Sequence, residues 1–296
     1  MRKTTLLKKL ILDPDILVMP GAHDALSARI IEQVGFKAVS LGGAGYSICS
    51  LGKPDVGLVT LTEMATHIRN VAEAVNVPVF ADGDTGHGNV TNVIRTTREF
   101  EKAGLAGFFI EDQVAPKRCG HREGKKVIPT EEMIAKIKAA VDARVDEDLV
   151  IMARTDALAI YGMEEAINRA NRYHEAGADL ILVDALTSKE EMIRLNREVE
   201  APTMVTQIEE GRTPIFTTKE LEEMGFNTVV YPGSSFFAAS YAIKKVMEEI
   251  YRTGTTKAYT DRMSLFHELD RIVGLDKVRE VETYYYKGLL GEEGKA

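Results

Sequence analysis

The chain has 296 residues, a formal charge of −8, 45% hydrophobic residues and 28% charged residues, a composition ordinary for a soluble globular protein with a large core. The acidic balance argues against nucleic acid or an anionic membrane as the main partner. Two cysteines, Cys49 and Cys119, do not make a disulfide framework, so a reducing, cytoplasmic setting is expected.

Residues 1–10 are basic and lack both the apolar stretch and the small-residue cleavage site of a secretory signal. No apolar run reaches the roughly 18 to 20 residues of a membrane span. Short apolar runs then alternate with amphipathic stretches along the chain. Strands are predicted at 16–19, 38–41, 77–81, 107–110, 149–153, 180–183, 203–205 and 228–231. Helical patterns follow them, as at 61–75, 90–103, 131–143 and 163–176, with glycines such as Gly35, Gly104 and Gly177 as stops. The runs read as buried on both faces, as in a parallel sheet. Eight such units predict a closed (β/α)8 TIM barrel, a fold of typically about 250 residues. An open doubly wound sheet is the alternative, but no GxGxxG turn or phosphate loop accompanies it. The barrel is expected over residues 1–254. Residues 255–296 form a helical extension that a barrel does not need, and such an extension suits subunit contacts.

Barrel enzymes carry their chemistry at the C-terminal ends of the strands, so polar residues directly after apolar runs are the informative ones. They are Asp82-Gly83-Asp84-Thr85-Gly86-His87, Glu111-Asp112-Gln113, Arg154-Thr155-Asp156, Asp184 and Thr206-Gln207. Carboxylates such as Asp82, Asp84 and Glu111 on one rim repel unless a cation sits among them, and hard oxygen donors suit Mg2+, with Mn2+ possible. For Thr85 and Asp156, capping of the next helix stays open as the alternative. The segment Lys117-Arg118-Cys119-Gly120-His121 places one thiol among basic residues, which lower a thiol pKa. Cys49 lacks such neighbours and reads as packing. Cys119 and His121 alone are too few ligands for zinc.

Together with Pro20-Gly21-Ala22-His23-Asp24 and Lys53-Pro54-Asp55-Val56-Gly57, these motifs resemble the isocitrate lyase and phosphoenolpyruvate mutase superfamily, from about Pro20 to about Glu282. The Lys-Arg-Cys-Gly-His segment resembles the lyase branch, in particular the 2-methylisocitrate and 2,3-dimethylmalate lyases. The resemblance implies a barrel whose eighth helix is exchanged between subunits of a homotetramer, a dimer of dimers. It implies that Asp82 holds Mg2+, with Asp84, Asp55 and Glu111 acting largely through water. It implies that Arg154 pairs with a substrate carboxylate while the Cys119 loop closes over the site.

The implied reaction is cleavage of a 2-hydroxy di- or tricarboxylate to a 2-oxo acid, such as pyruvate, and a second carboxylic acid. Cys119 is the expected acid, with Lys117 beside it and His121 tuning it. Tyr46 and a metal-bound water are both open as the base. On the substrate side stand Gly42, Gly43, Ala44, Arg154, Asp184, Thr206 and Arg212. Gly42, Asp184 and Thr206 replace the serine, glutamate and asparagine usual in methylisocitrate lyases, and His87 replaces an aromatic residue. The segment Glu210-Gly211-Arg212-Thr213-Pro214 looks closer to the dimethylmalate group. Two other readings are an oxaloacetate hydrolase or decarboxylase on the same metal site, and a non-catalytic binding or assembly protein that reuses the barrel.

Overall fold

The computed structural model describes residues 1–118 and 124–287. It divides into two compact units, Met1–Ala238 and Ala239–Ala296. In the first, eight parallel strands run β1 (Leu17–Ala22), β2 (Val39–Leu41), β3 (Val79–Asp82), β4 (Gly107–Glu111), β5 (Val150–Thr155), β6 (Leu180–Val183), β7 (Thr203–Thr206) and β8 (Thr228–Tyr231). They form a closed barrel in chain order. β8 returns to β1 in the register Leu17↔Thr228 to Pro20↔Tyr231. Each of the eight apolar runs expected from sequence is one of these strands, and the fold is a TIM barrel. The residue-254 boundary expected from sequence falls just past the helix Ser234–Thr253, whereas the compact units divide inside that helix.

A strand alternates its side chains between two faces, and here each face has its own core. Phe80, Val150, Met152, Leu180, Leu182 and Met204 point into the barrel and form one buried cluster. Their neighbours Val79, Ala81, Ile151, Ala153, Ile181 and Val183 point outward and join the larger cluster beneath the helices. That two-sided burial is why the strands read as unbroken apolar runs.

The helix Lys3–Ile11 adds Leu7 and Ile11 to the inner cluster. It is fastened by Lys3 Nζ to the carbonyls of Ala72 (2.8 Å) and Val75 (2.7 Å). Between strand and helix, caps set the boundaries. The Asp24 carboxylate accepts from Ser27 N and the Thr60 hydroxyl from Glu63 N, each in a reciprocal capping box.

The second unit holds most of the helix Ser234–Thr253, a short 3-10 turn and the helices Phe266–Val273 and Leu275–Tyr286. Tyr241, Ile243, Met247, Tyr251, Phe266 and Tyr284 are exposed there. Among the described residues no helix is long and apolar enough to cross a membrane.

Candidate active site

The inner face of the barrel changes character near the C-terminal ends of the strands. On five strands, two residues after the last inward apolar side chain and on the same face, stands a residue of the site. Phe80 is followed by Asp82, Phe109 by Glu111, Met152 by Arg154, Leu182 by Asp184 and Met204 by Thr206. Above this floor opens a cavity whose lining includes Gly42, Ala44, Asp55, Asp82, Lys117, Arg118, Arg154, Asp184 and Thr206. Its charged residues come from β3 to β6 and the segments beside them. The β7–β8 side contributes Met204, Ile208, Val230, Pro232 and Phe236, with Thr206 as its polar residue.

The turn after β3 brings the first carboxylates together. Gly83 N donates to Phe109 O at 2.9 Å, and a Cβ on Gly83 would lie 2.6 Å from that oxygen, so only glycine fits. Asp84 then adopts φ 48°, an uncommon conformation for a non-glycine residue, and its N–H donates to Asp82 Oδ1 at 2.8 Å. Gly43 N donates to Asp82 Oδ2 at 3.2 Å. A Cβ on Gly43 would come 3.2 Å from that oxygen and 3.4 Å from Asp84 Oδ1.

Lys117 Nζ sits among these groups, 2.7 Å from Asp84 Oδ1, 3.1 Å from Asp55 Oδ1 and 3.5 Å from Asp82 Oδ2. Glu111 is buried, and among the described residues neither of its carboxylate oxygens finds a hydrogen bond. Its ion pair with Arg154 Nε spans 3.4 Å.

Electrostatics separates Asp82 from Asp84 and Glu111. Burial raises Asp84 to about 6, reinforced by the charge of Asp82 beside it. Burial also holds Glu111 well above the usual carboxylate range, against the pull of Arg154 and Lys117. In Asp82 burial works the same way, but Lys117 and the Asp84 N–H outweigh it and hold the carboxyl low. Burial makes the charged forms of Asp84 and Glu111 costly, a cost that a nearby cation would offset.

Arg154 is held by a second group of acids. Its Nε and Nη2 donate to Asp156 Oδ2 and Oδ1 at 3.0 and 3.1 Å, and Nη2 also donates to Asp184 Oδ2 at 3.2 Å. Buried Lys125 adds a 2.7 Å bond to Asp156. Burial would raise the Asp156 carboxyl, but Arg154 and Lys125 bring it down to about 2. Asp156 therefore caps no helix, and the cap of the helix Val90–Lys102 is Asn89 rather than Thr85.

The structure thus brings together Asp55, Asp82, Asp84, Glu111 and Lys117, with Gly43 against them. Arg154, Asp184, Thr206, Gly42 and Ala44 line the same cavity. It does not bring Tyr46 or Arg212 there. Tyr46 stands two residues beyond Ala44 on the helix Gly43–Leu51, about 200° around its axis. Its ring packs on His67 of the helix Leu61–Ala74 with centroids 4.8 Å apart. Arg212 is exposed on the segment after β7 and is not among the lining residues. His87 likewise meets Phe100 edge to face, with ring centroids 6.2 Å apart, rather than lining the cavity.

Cys119 and His121 lie outside the described residues. Sequence reasoning missed Lys125 and the apolar side formed by Ile208, Val230 and Phe236. A lysine in a polar segment reads as solvated, and only the fold reveals its partner 31 positions away.

A closed barrel whose C-terminal rim gathers clustered acids with Lys117, Arg118 and Arg154 defines a TIM-barrel enzyme. The chain belongs to the phosphoenolpyruvate mutase and isocitrate lyase superfamily: the family described as phosphoenolpyruvate phosphomutase matches residues 7–251. It is similar to the 2,3-dimethylmalate lyase of Eubacterium barkeri, at 45% identity over 95% of this chain and 98% of the relative. A crystal structure of a 2,3-dimethylmalate lyase superposes with a TM-score of 0.92 at 34% identity, covering 100% of this chain and 99% of that one. The 2-methylisocitrate lyase of Aeropyrum pernix is 43% identical over 92% of this chain and 88% of its own. An oxaloacetate acetylhydrolase bound to 3,3-difluorooxalacetate superposes with a TM-score of 0.91 at 32% identity, covering 96% and 97%.

Proposed function

We propose that the chain is a divalent-metal-dependent carbon–carbon lyase that cleaves an alkyl-substituted 2-hydroxy dicarboxylate of the 2,3-dimethylmalate kind. The observation that carries this reading is the division of the cavity: charged groups on the β3–β6 side, and mainly Met204, Ile208, Val230, Pro232 and Phe236 opposite. A third carboxylate laid against that apolar side would lose its water without gaining a partner, which costs several kcal/mol for a charged group. An alkyl group there is favoured by about 25 cal/mol per Å2 of apolar surface buried.

The residues fit a hard cation. Three aspartates converge on one ammonium, and buried Glu111 has two oxygens without hydrogen bonds among the described residues. Among the described residues no three acidic, histidine or cysteine side chains form a direct ligand set. Mg2+ would accordingly be held by Asp82, with Asp84, Asp55 and Glu111 acting largely through water. What a bound divalent cation supplies is chelation of the substrate's hydroxyl and carboxylate, and a more acidic hydroxyl.

Arg154, already forked onto Asp156 and Asp184, presents its charge to a substrate carboxylate. Gly42 and Ala44 open the first turn of the helix Gly43–Leu51 to the cavity. A water held among the carboxylates would take the hydroxyl proton, since Tyr46 packs on His67 away from the cavity; the C2–C3 bond then breaks, C2 becomes the carbonyl carbon of pyruvate, and the bond's electron pair stays on C3. The Cys119 thiol protonates C3 and releases the second acid. Lys117 balances the charge of the carboxylates, and His121 tunes Cys119.

A second reading, hydrolysis of oxaloacetate, is favoured by the likeness to oxaloacetate acetylhydrolase. One assay separates the two. With Mg2+, pyruvate released from 2,3-dimethylmalate faster than from 2-methylisocitrate, and lost on adding EDTA, supports the lyase and its substrate. Acetate and oxalate from oxaloacetate, with both hydroxy acids untouched, would transfer the assignment to the hydrolase.

The same reading places the enzyme in the cytoplasm as a homotetramer in which the eighth barrel helix is exchanged, covering exposed Tyr241, Ile243 and Met247. Light scattering on the purified protein tests it, and a monomer in solution would refute the assembly.

A further inference from the structure

We propose that Asp112 is the positioning residue that sets the orientation of Arg154, acting through Asp156; the functional part of this inference rests on Arg154 being the substrate's carboxylate partner. Asp112 follows Glu111 directly and so faces the opposite way, and its side chain is completely buried.

Its two carboxylate oxygens are committed to different tasks. Oδ2 accepts from Thr155 Oγ1 at 2.7 Å, Tyr173 Oη at 2.9 Å and Arg169 Nη1 at 3.0 Å. Oδ1 accepts from the backbone N–H of Asp156 at 3.0 Å. The Asp112 N–H meanwhile donates to Arg154 O at 3.2 Å. Asp112 therefore grips the 154–156 segment at both ends. Inside that span, the Asp156 carboxylate turns back and forks onto the Arg154 guanidinium.

The helix Met163–Glu175 supplies the outer anchor. Arg169 pairs with Asp112 and with Glu165 at 2.8 Å, and also donates to Ile128 O at 2.9 Å. A carboxamide at position 112 has one accepting oxygen, so it cannot serve both sets of donors. The Asp156 backbone and the guanidinium that depends on it would then lose their fixed place. A fork is directional, and Arg154 out of register binds a carboxylate less well without changing the chemistry that follows.

The test uses Asp112→Asn and Tyr173→Phe in the full-length enzyme, with kinetics on 2,3-dimethylmalate and a crystal structure of each variant. Tyr173→Phe removes one donor, keeps the ring, and decides the matter should Asp112→Asn fail to fold. In Asp112→Asn the expected result is a guanidinium displaced from Asp156 and a KM raised about tenfold, with kcat changed much less. Tyr173→Phe is expected to move both readouts in the same direction by a smaller factor. An Arg154 fork left in place, with KM unaltered, would overturn the proposal. A displaced guanidinium with unaltered KM would uphold the positioning role and sink the reading of Arg154 as the substrate's partner.

Discussion

Lys117 Nζ lies 2.7 Å from Asp84 Oδ1, an ammonium from the segment after β4 set against a carboxylate from the turn after β3. The same ammonium also faces Asp55 and Asp82. Removing it leaves buried like charges without their partner, which typically costs about 3 to 5 kcal/mol. Lys117→Ala is accordingly expected to melt well below the parent protein. Saturating Mg2+ should restore part of the loss, by a larger increment than it adds to the parent. Melting curves with and without Mg2+ check this, and an equal Mg2+ increment in both proteins would mean that the cation binds elsewhere.

Gly43 tests the same cluster by crowding. A methyl group at this position would press against Asp82 and Asp84 at 3.2 and 3.4 Å, and overpacking a tight site costs about 1 to 3 kcal/mol. Gly43→Ala should weaken Mg2+ binding by roughly tenfold in calorimetry. Unchanged affinity would show that the helix start gives way at no cost.

Replacing the Cys119 thiol by a hydroxyl, a far weaker acid, should lower kcat by roughly two to four orders of magnitude, the usual worth of a placed general acid. The melting temperature should change little, since exchanging one sulfur for oxygen alters neither charge nor backbone. Near-parental turnover in Cys119→Ser would remove the thiol from the chemistry.

His67 carries a prediction about acid stability. Its Nε2 is buried without a hydrogen-bond partner among the described residues, and burial lowers its pKa, against the opposing pull of Asp24 and together with the charge of His23. The native state therefore keeps this imidazole neutral, while the unfolded chain protonates it below about pH 6.5. Between that value and the lower folded pKa the unfolded state binds more protons, so stability falls as pH falls. His67→Phe retains a ring against Tyr46 and removes this slope. The melting temperature of the parent should drop more than the variant's between pH 7.5 and pH 5. Parallel curves would contradict the assignment.

The barrel was legible because its signal is local. Each strand is a short apolar run, and the residue that follows it on the inward face is visible in the same few positions, as in Phe80 to Asp82 or Met152 to Arg154. Asp82, Asp84, Glu111 and Arg154 were picked out in that way, and the barrel gathers them at one rim. Tyr46 lies away from the cavity because a helix turns its side chains about 100° per residue, so nearness in sequence to Gly42 and Ala44 does not mean a shared face. Lys125 and the partners of Asp112 depend on contacts such as Asp112 with Tyr173, 61 positions apart, and no local pattern announces them.

The stacking of floor and rim along single strands separates two kinds of change. Thr206 stands one storey above Met204, and Pro232 one storey above Val230. An exchange in the upper storey redraws the outline that a substrate meets and leaves the supporting layer intact. An exchange in the lower storey alters both at once. A lineage of such barrels can therefore drift in diet while its architecture stands still, and a library confined to positions 206, 208 and 232 would sample new substrates at little risk to folding.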